Sequence, residues 1–195
     1  MSTQKISQQL VDDLKKFNWQ FVINYGNSLE ELNDRQLRFL KGFVCEELIA
    51  SQDPTLVCVR QDHKDFVWNK HNVDIELKTQ FSFRMYGKRG NLLDISNIQF
   101  TNSNGTNNKE VLDPNLICDL TLVLRNDGAV VVDKQTVIDN LVKTGDGFRL
   151  NIPKDKAIEI SGCITPNAKY TTDFKSILSK AVRESIEKYN PCLKN

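Results

Sequence analysis

The chain has 195 residues, 39% of them apolar and 26% charged, and its 26 Lys+Arg against 25 Asp+Glu leave a formal net charge of +1. That length suits one well-cored domain and is short for two, and the composition excludes a disordered chain, a collagen-like repeat and a polybasic arm. No run nears the roughly 18 apolar residues that cross a bilayer, and the Met1-Ser2-Thr3-Gln4-Lys5 start has no apolar signal region, so a cytoplasmic protein without a membrane partner is expected. The near-zero charge counts at first sight against a nucleic-acid partner.

Residues 4–17 carry Ile6, Leu10, Leu14 and Phe17 at helical spacing behind the candidate caps Ser2 and Thr3. Ser28-Leu29-Glu30-Glu31 has the form of a capping box, and a longer helical pattern runs over 34–50. Residues 55–59 read as a short strand, and a long alternating segment covers 73–84. Two further strands, 116–124 and 129–133, flank Arg125-Asn126-Asp127-Gly128, whose Asp-Gly signals a hairpin. A helix over 135–142, strands over 148–152 and 157–160, and a C-terminal helix over 172–189 complete the pattern. The expected fold is a single α/β (α+β mixed) domain over 1–195, with a central mixed sheet flanked by helices. Its parts are an N-terminal helical segment 1–33, a core over about 34–142 and the C-terminal helix.

The five cysteines (Cys45, Cys58, Cys118, Cys163 and Cys192) are odd in number and never paired as C-x-x-C. That scatter fits reduced thiols and neither a disulfide framework nor a zinc cluster.

Residues 73–84 hold the most informative pattern. Val73, Ile75, Leu77, Thr79, Phe81 and Phe83 alternate with Asp74, Glu76, Lys78, Gln80, Ser82 and Arg84. Alternation puts Glu76 and Lys78 side by side on the polar face of a strand whose other face packs a core. Acid-x-Lys also occurs at Asp13-Leu14-Lys15, Asp62-His63-Lys64 and Asp173-Phe174-Lys175, but only Glu76 and Lys78 share one face of a convincing strand. Upstream, Asp65-Phe66-Val67-Trp68 leads into a turn over 69–72, and a hairpin there brings Asp65 beside Glu76. Two carboxylates so placed repel unless a cation sits between them, the usual construction of a hard, oxygen-ligated Mg²⁺ site. The competing reading is an amphipathic sheet with an ion-paired wet face and Asp65 as an ordinary turn residue.

The 34–50 helix adds a third acid. Leu37, Leu40, Phe43, Val44 and Leu48 form its apolar stripe; Glu47 points into that stripe and Glu46 lies well away from it. An inward carboxylate must be paired, hydrogen-bonded or near a metal.

An inward helical Glu, then an acidic residue, about ten residues, and Glu-x-Lys on a strand together resemble the PD-(D/E)xK nuclease superfamily, and most closely its small type II restriction endonucleases. Asp65-Phe66-Val67-Trp68-Asn69 with Asp74-Ile75-Glu76-Leu77-Lys78 is similar to their active-site hairpin. The resemblance covers roughly 40–140 and implies a restriction-endonuclease-like core. Lys64 stands where the signature has proline, which leaves Asp62 and Asp74 as rivals to Asp65 for the first acid. The resemblance implies that Asp65, Glu76 and the Leu77 carbonyl bind Mg²⁺. It makes Lys78 the residue that orients water and stabilises phosphate charge, and Glu47 a carboxylate acting through water or on a second metal. It also implies sequence-specific cleavage of double-stranded DNA to 5′-phosphate and 3′-hydroxyl ends, a homodimer matched to a two-fold site, and a cognate DNA methyltransferase. A structure-specific repair or recombination nuclease, or a non-catalytic DNA-binding or interaction protein, is the alternative.

Beyond the motif, residues 81–91 hold Arg84, Lys88 and Arg89 with aromatics and no acid. With Asn91 they are candidates for DNA contact, as is the Asn-rich loop 101–108, against the alternative of solvated loop tips. Local charge, not the neutral total, is what bears on DNA binding.

Overall fold

The computed structural model describes residues 6–28, 38–61, 64–81, 98–100, 117–144, 147–150, 152 and 155–162. Three helices lead: α1 (Gln8–Lys15), α2 (Trp19–Ser28) and α3 (Arg38–Ala50). The strands β1 (Leu56–Gln61), β2 (Lys64–Trp68), β3 (Val73–Gln80) and β4 (Ile98–Phe100) follow. Then come the β5 (Leu120–Arg125)–β6 (Gly128–Asp133) hairpin, the short α4 (Lys134–Asp139), β7 (Leu141–Thr144), β8 (Gly147–Leu150) and β9 (Ile158–Glu159).

The fold is mixed α+β. Six strands form one sheet in the order β1-β2-β3-β5-β6-β9, and β4-β8-β7 form a second, three-stranded one. In the larger sheet β3 and β5 run parallel and every other pair is antiparallel. A parallel neighbour needs a crossover connection, and β3 and β5 are separated by about forty residues of chain. All six residues of β5 are buried, as a strand covered on both faces requires. Leu120, Leu122 and Leu124 enter the main core with α1, α2, α3, β2 and β3, while Val123 joins a smaller cluster with Ile117, Val130, Val132, Val137 and Ile152.

Alternation in β3 follows the sequence: Val73, Ile75 and Leu77 are buried, and Asp74, Glu76, Lys78 and Gln80 half-buried. Phe81, just past the strand, packs on α2 at Gly26, where an added Cβ would meet the Phe81 ring at 2.1 Å. Only a glycine allows that approach. The turn before β3 closes with Asn72 at φ 52, a left-handed position that asparagine tolerates.

Several boundaries differ from the sequence expectation for identifiable reasons. Ser7, not Ser2 or Thr3, caps α1 by accepting from the Leu10 amide. Ser28 is the last residue of α2, and the rest of the expected capping box, 29–31, lies outside the described residues. The helix expected over 135–142 stops at Asp139, because Asn140 leaves helical geometry and Leu141–Thr144 pairs with β8. Helix α2 lies beyond the elements expected from the sequence, and its Trp19, Val22, Ile23 and Tyr25 are buried. The expected C-terminal helix, the 101–108 loop, Asp62, Arg84, Lys88, Arg89 and Asn91 lie outside the described residues. Among those described, Cys45, Cys58 and Cys118 are free thiols, and no helix is long and apolar enough to cross a membrane.

Candidate metal and catalytic site

The site grows from the β2–β3 hairpin. The antiparallel register pairs Trp68 with Val73, Val67 with Asp74 and Phe66 with Ile75. One step further it sets Asp65 opposite Glu76. Phe66 and Trp68 are fully buried in the main core, so the alternation turns Asp65 to the face that carries Glu76 and Lys78. At that step the ladder gives way to a side chain: Asp65 Oδ2 accepts from the Leu77 amide at 2.6 Å. The N–H and C=O of a strand residue project to the same side. The Leu77 carbonyl is therefore on the Asp65 edge of β3.

Lys78 Nζ donates to Glu76 Oε1 along the same face. In the parallel register Glu76 lies beside Thr121, Lys78 beside Val123 and Gln80 beside Arg125. Thr121 and Arg125 are almost wholly buried, so β5 closes one flank of the polar face. The Asp65 carboxyl is pushed up to about 7. Burial is the main cause, and the charges of Glu76 and Glu46 add to it, against the Leu77 amide and Lys78, which act the other way. This carboxylate is held where its charge is opposed.

Of the two rival acids, Asp62 lies outside the described residues and Asp74 is paired elsewhere. Asp74 is ion-paired to Lys64 at 2.5 Å, and its backbone amide donates to Asp119 Oδ2 at 3.0 Å. Asp74 is thus occupied by the residue that stands in the proline position of the signature.

On α3 both glutamates are buried, Glu46 at 5% exposure and Glu47 at 8%. The inward Glu47 agrees with the helical stripe, where Phe43, Val44 and Leu48 are buried as expected. Glu46 does not stay away from the interior, because β1 covers that flank too: Cys58 Sγ donates to the Glu46 carbonyl at 3.6 Å. Arg60 joins the two acids. Its Nε lies 2.7 Å from Glu46 Oε2 and a terminal nitrogen 2.5 Å from Glu47 Oε1. The guanidinium carbon also stands 5.1 Å from the centre of the Phe43 ring. Glu46 is a helical carboxylate whose charge is felt at Asp65. Arg60 and Glu46 are the two residues that sequence reasoning missed. The only sequence trace of Arg60 is a cation closing the apolar run Leu56-Val57-Cys58-Val59.

Cys118 is a further unforeseen neighbour, since Glu76, Asp74 and Asp65 all raise its pKa. Burial, first, and these charges push the thiol up to about 12, so it stays protonated at neutral pH.

Among the described residues, no three His, Cys, Asp or Glu side chains converge to hold a metal by themselves. What the hairpin offers is two opposed carboxylates and a backbone oxygen. Such a set suits a hard cation that keeps most of its water, because Mg²⁺ binds through one or two carboxylates and retains several waters. A cation there would relieve the repulsion that raises Asp65. No family model, curated protein or solved structure matches this chain.

Proposed function

We propose that this protein is a Mg²⁺-dependent type II restriction endonuclease that cuts double-stranded DNA at specific sites. One observation carries the reading: Asp65 stands opposite Glu76 where the β2–β3 ladder ends, with Lys78 on the same face. In support, the mixed sheet carries an acid–Glu-x-Lys hairpin of the kind the PD-(D/E)xK resemblance implies, and α3 adds buried carboxylates beside it. The restriction-endonuclease-like core belongs to this proposal, as do cytoplasmic location, a homodimer and a partner methyltransferase.

Asp65 and Glu76, with the Leu77 carbonyl, would hold the cation. Bound Mg²⁺ supplies Lewis acidity for water activation and for charge on the leaving 3′ oxygen. Lys78 exchanges its bond to Glu76 for contacts with water and the scissile phosphate, orienting the first and stabilising charge on the second. The Leu77 amide fixes the Asp65 carboxylate so that it needs no reorganisation on binding. Water attacks phosphorus, the P–O3′ bond breaks, and the products are a 5′-phosphate and a 3′-hydroxyl.

Digestion of a plasmid with Mg²⁺ and with EDTA tests the reading. Discrete bands with Mg²⁺ alone are expected. A smear or branch-dependent cutting points to a structure-specific nuclease. No cutting of a plasmid set covering all short palindromes, together with no Mg²⁺ binding dependent on Asp65 and Glu76, leaves a non-catalytic protein with an ion-paired strand face.

A further inference from the structure

The second group of buried acids is filled by an arginine, and the backbone is bent to put it there. Pairing of β1 with β2 shifts register between Cys58 and Gln61, and Arg60, inside that irregularity, sits at φ 47. A bulge re-aims side chains relative to the regular pleat, and a non-glycine residue held in the left-handed region persists only when surrounding structure over-determines it. Here the redirected guanidinium bridges Glu46 and Glu47 and stacks on Phe43. Unlike lysine, arginine stays charged at every physiological pH and fits two carboxylates with its planar fork.

We infer that Arg60 occupies the place of a second metal ion, so that the site takes a single divalent cation, at Asp65 and Glu76. This rests on the reading of that pair as a cation site and specifies how many ions it uses. Charge counting agrees. Asp65, Glu76, Glu46 and Glu47 carry four negative charges when ionised, and Lys78 and Arg60 return two, which leaves the charge of one divalent ion. The two clusters adjoin: Arg60 lies between the Cys58–Phe66 and Gln61–Lys64 pairs of β1 with β2, across from Asp65. Arg60 is therefore a positioning residue: it neutralises the α3 carboxylates and keeps them from drawing an ion away from the hairpin.

Titration of the full-length protein with Mn²⁺ alone, followed by electron paramagnetic resonance and calorimetry, reads the stoichiometry without DNA or turnover. Wild type is expected to bind one ion per chain, lost in the Asp65→Asn/Glu76→Gln double variant. Arg60→Ala is expected to gain a second ion, which disappears again when Glu47→Gln is added. Because Arg60→Ala leaves two buried carboxylates unopposed and can unfold, a neutral variant, Arg60→Met/Glu46→Gln/Glu47→Gln, provides an independent arm. It is expected to keep the single ion within about tenfold of wild-type affinity, the lower end of what loss of supporting partners does to a metal site. Two ions in wild type, loss of the ion in the neutral variant, or a folded Arg60→Ala that still binds one ion overturns the inference alone. No ion in wild type, or one that survives the Asp65/Glu76 double variant, overturns the site reading beneath it.

Discussion

Two aspartates at opposite ends of the β2–β3 hairpin have opposite fates. Asp13, on α1, meets Lys16 and Lys70 at 2.7 Å and His71 at 3.0 Å, the last two from the turn into β3. Its hydrogen bond from Lys16, then that from Lys70, holds the carboxyl well below the usual range. Asp65, at the other end, faces Glu76 and Glu46 and is pushed up to about 7. One residue type thus serves two purposes according to what surrounds it. A carboxylate given cations ties α1 to the turn; one set against other carboxylates stores a demand for a cation.

The largest expected effect falls on the opposed end. Lys78→Ala is expected to lower the cleavage rate about 10²–10³-fold, the loss typical of one electrostatic donor to a transition state, while gel-shift affinity for DNA stays close to wild type. Glu76→Ala should cut at least as deeply, and unimpaired cleavage by that variant would sink the site assignment.

Next come variants that break the frame around the pair. Arg60→Ala should destabilise the fold by about 3–5 kcal/mol, the usual result of stripping one partner from a buried ion pair, seen as a lower midpoint in urea. Gly26→Ala drives a Cβ into the Phe81 ring and is expected to cost about 1–3 kcal/mol by overpacking.

Asp65→Asn should instead stabilise the metal-free protein. The folded carboxyl keeps its proton up to about 7, whereas the unfolded one loses it near pH 4. Between those values the native state binds more protons, so its stability falls as pH rises through that window and levels off above it. The variant lacks this fall, so its advantage should grow as pH rises from 4 to 7. Thermal melts in EDTA at pH 4.5 and pH 8 measure it. An advantage that is equal at both pH values would mean that Asp65 is not opposed by its neighbours.

Asp13→Asn is the mirror experiment and the smallest effect. A depressed carboxyl contributes stability above the unfolded pKa and loses it as pH falls through the folded one. The variant should therefore melt below wild type at pH 7, with the gap closing only below about pH 4.

Local pattern reached some of this. The period-two alternation of 73–80 placed Glu76 and Lys78 on one face, and Asp127-Gly128 placed the β5–β6 turn, because strand faces and tight turns are set by neighbours in sequence. The helical period likewise turned Glu47 inward. It failed for Glu46, since a helical wheel assumes one buried flank and α3 has two. It also missed α2, whose described side chains are all buried or half-buried.

The sequence by itself determined that a polar strand face would carry an acid and a lysine side by side, and that another acid preceded it across a turn. Register, bulge and parallel pairing decided the rest: that Asp65 rather than Asp74 meets Glu76, that Lys64 neutralises Asp74, and that Arg60 turns back to bind α3. Those contacts join residues distant along the chain, through geometry that no local period encodes. Even the opening charge of +1 is recast by them. It averages over an aspartate satisfied by two lysines and a histidine and an aspartate left facing two acids, and only the folded chain tells them apart.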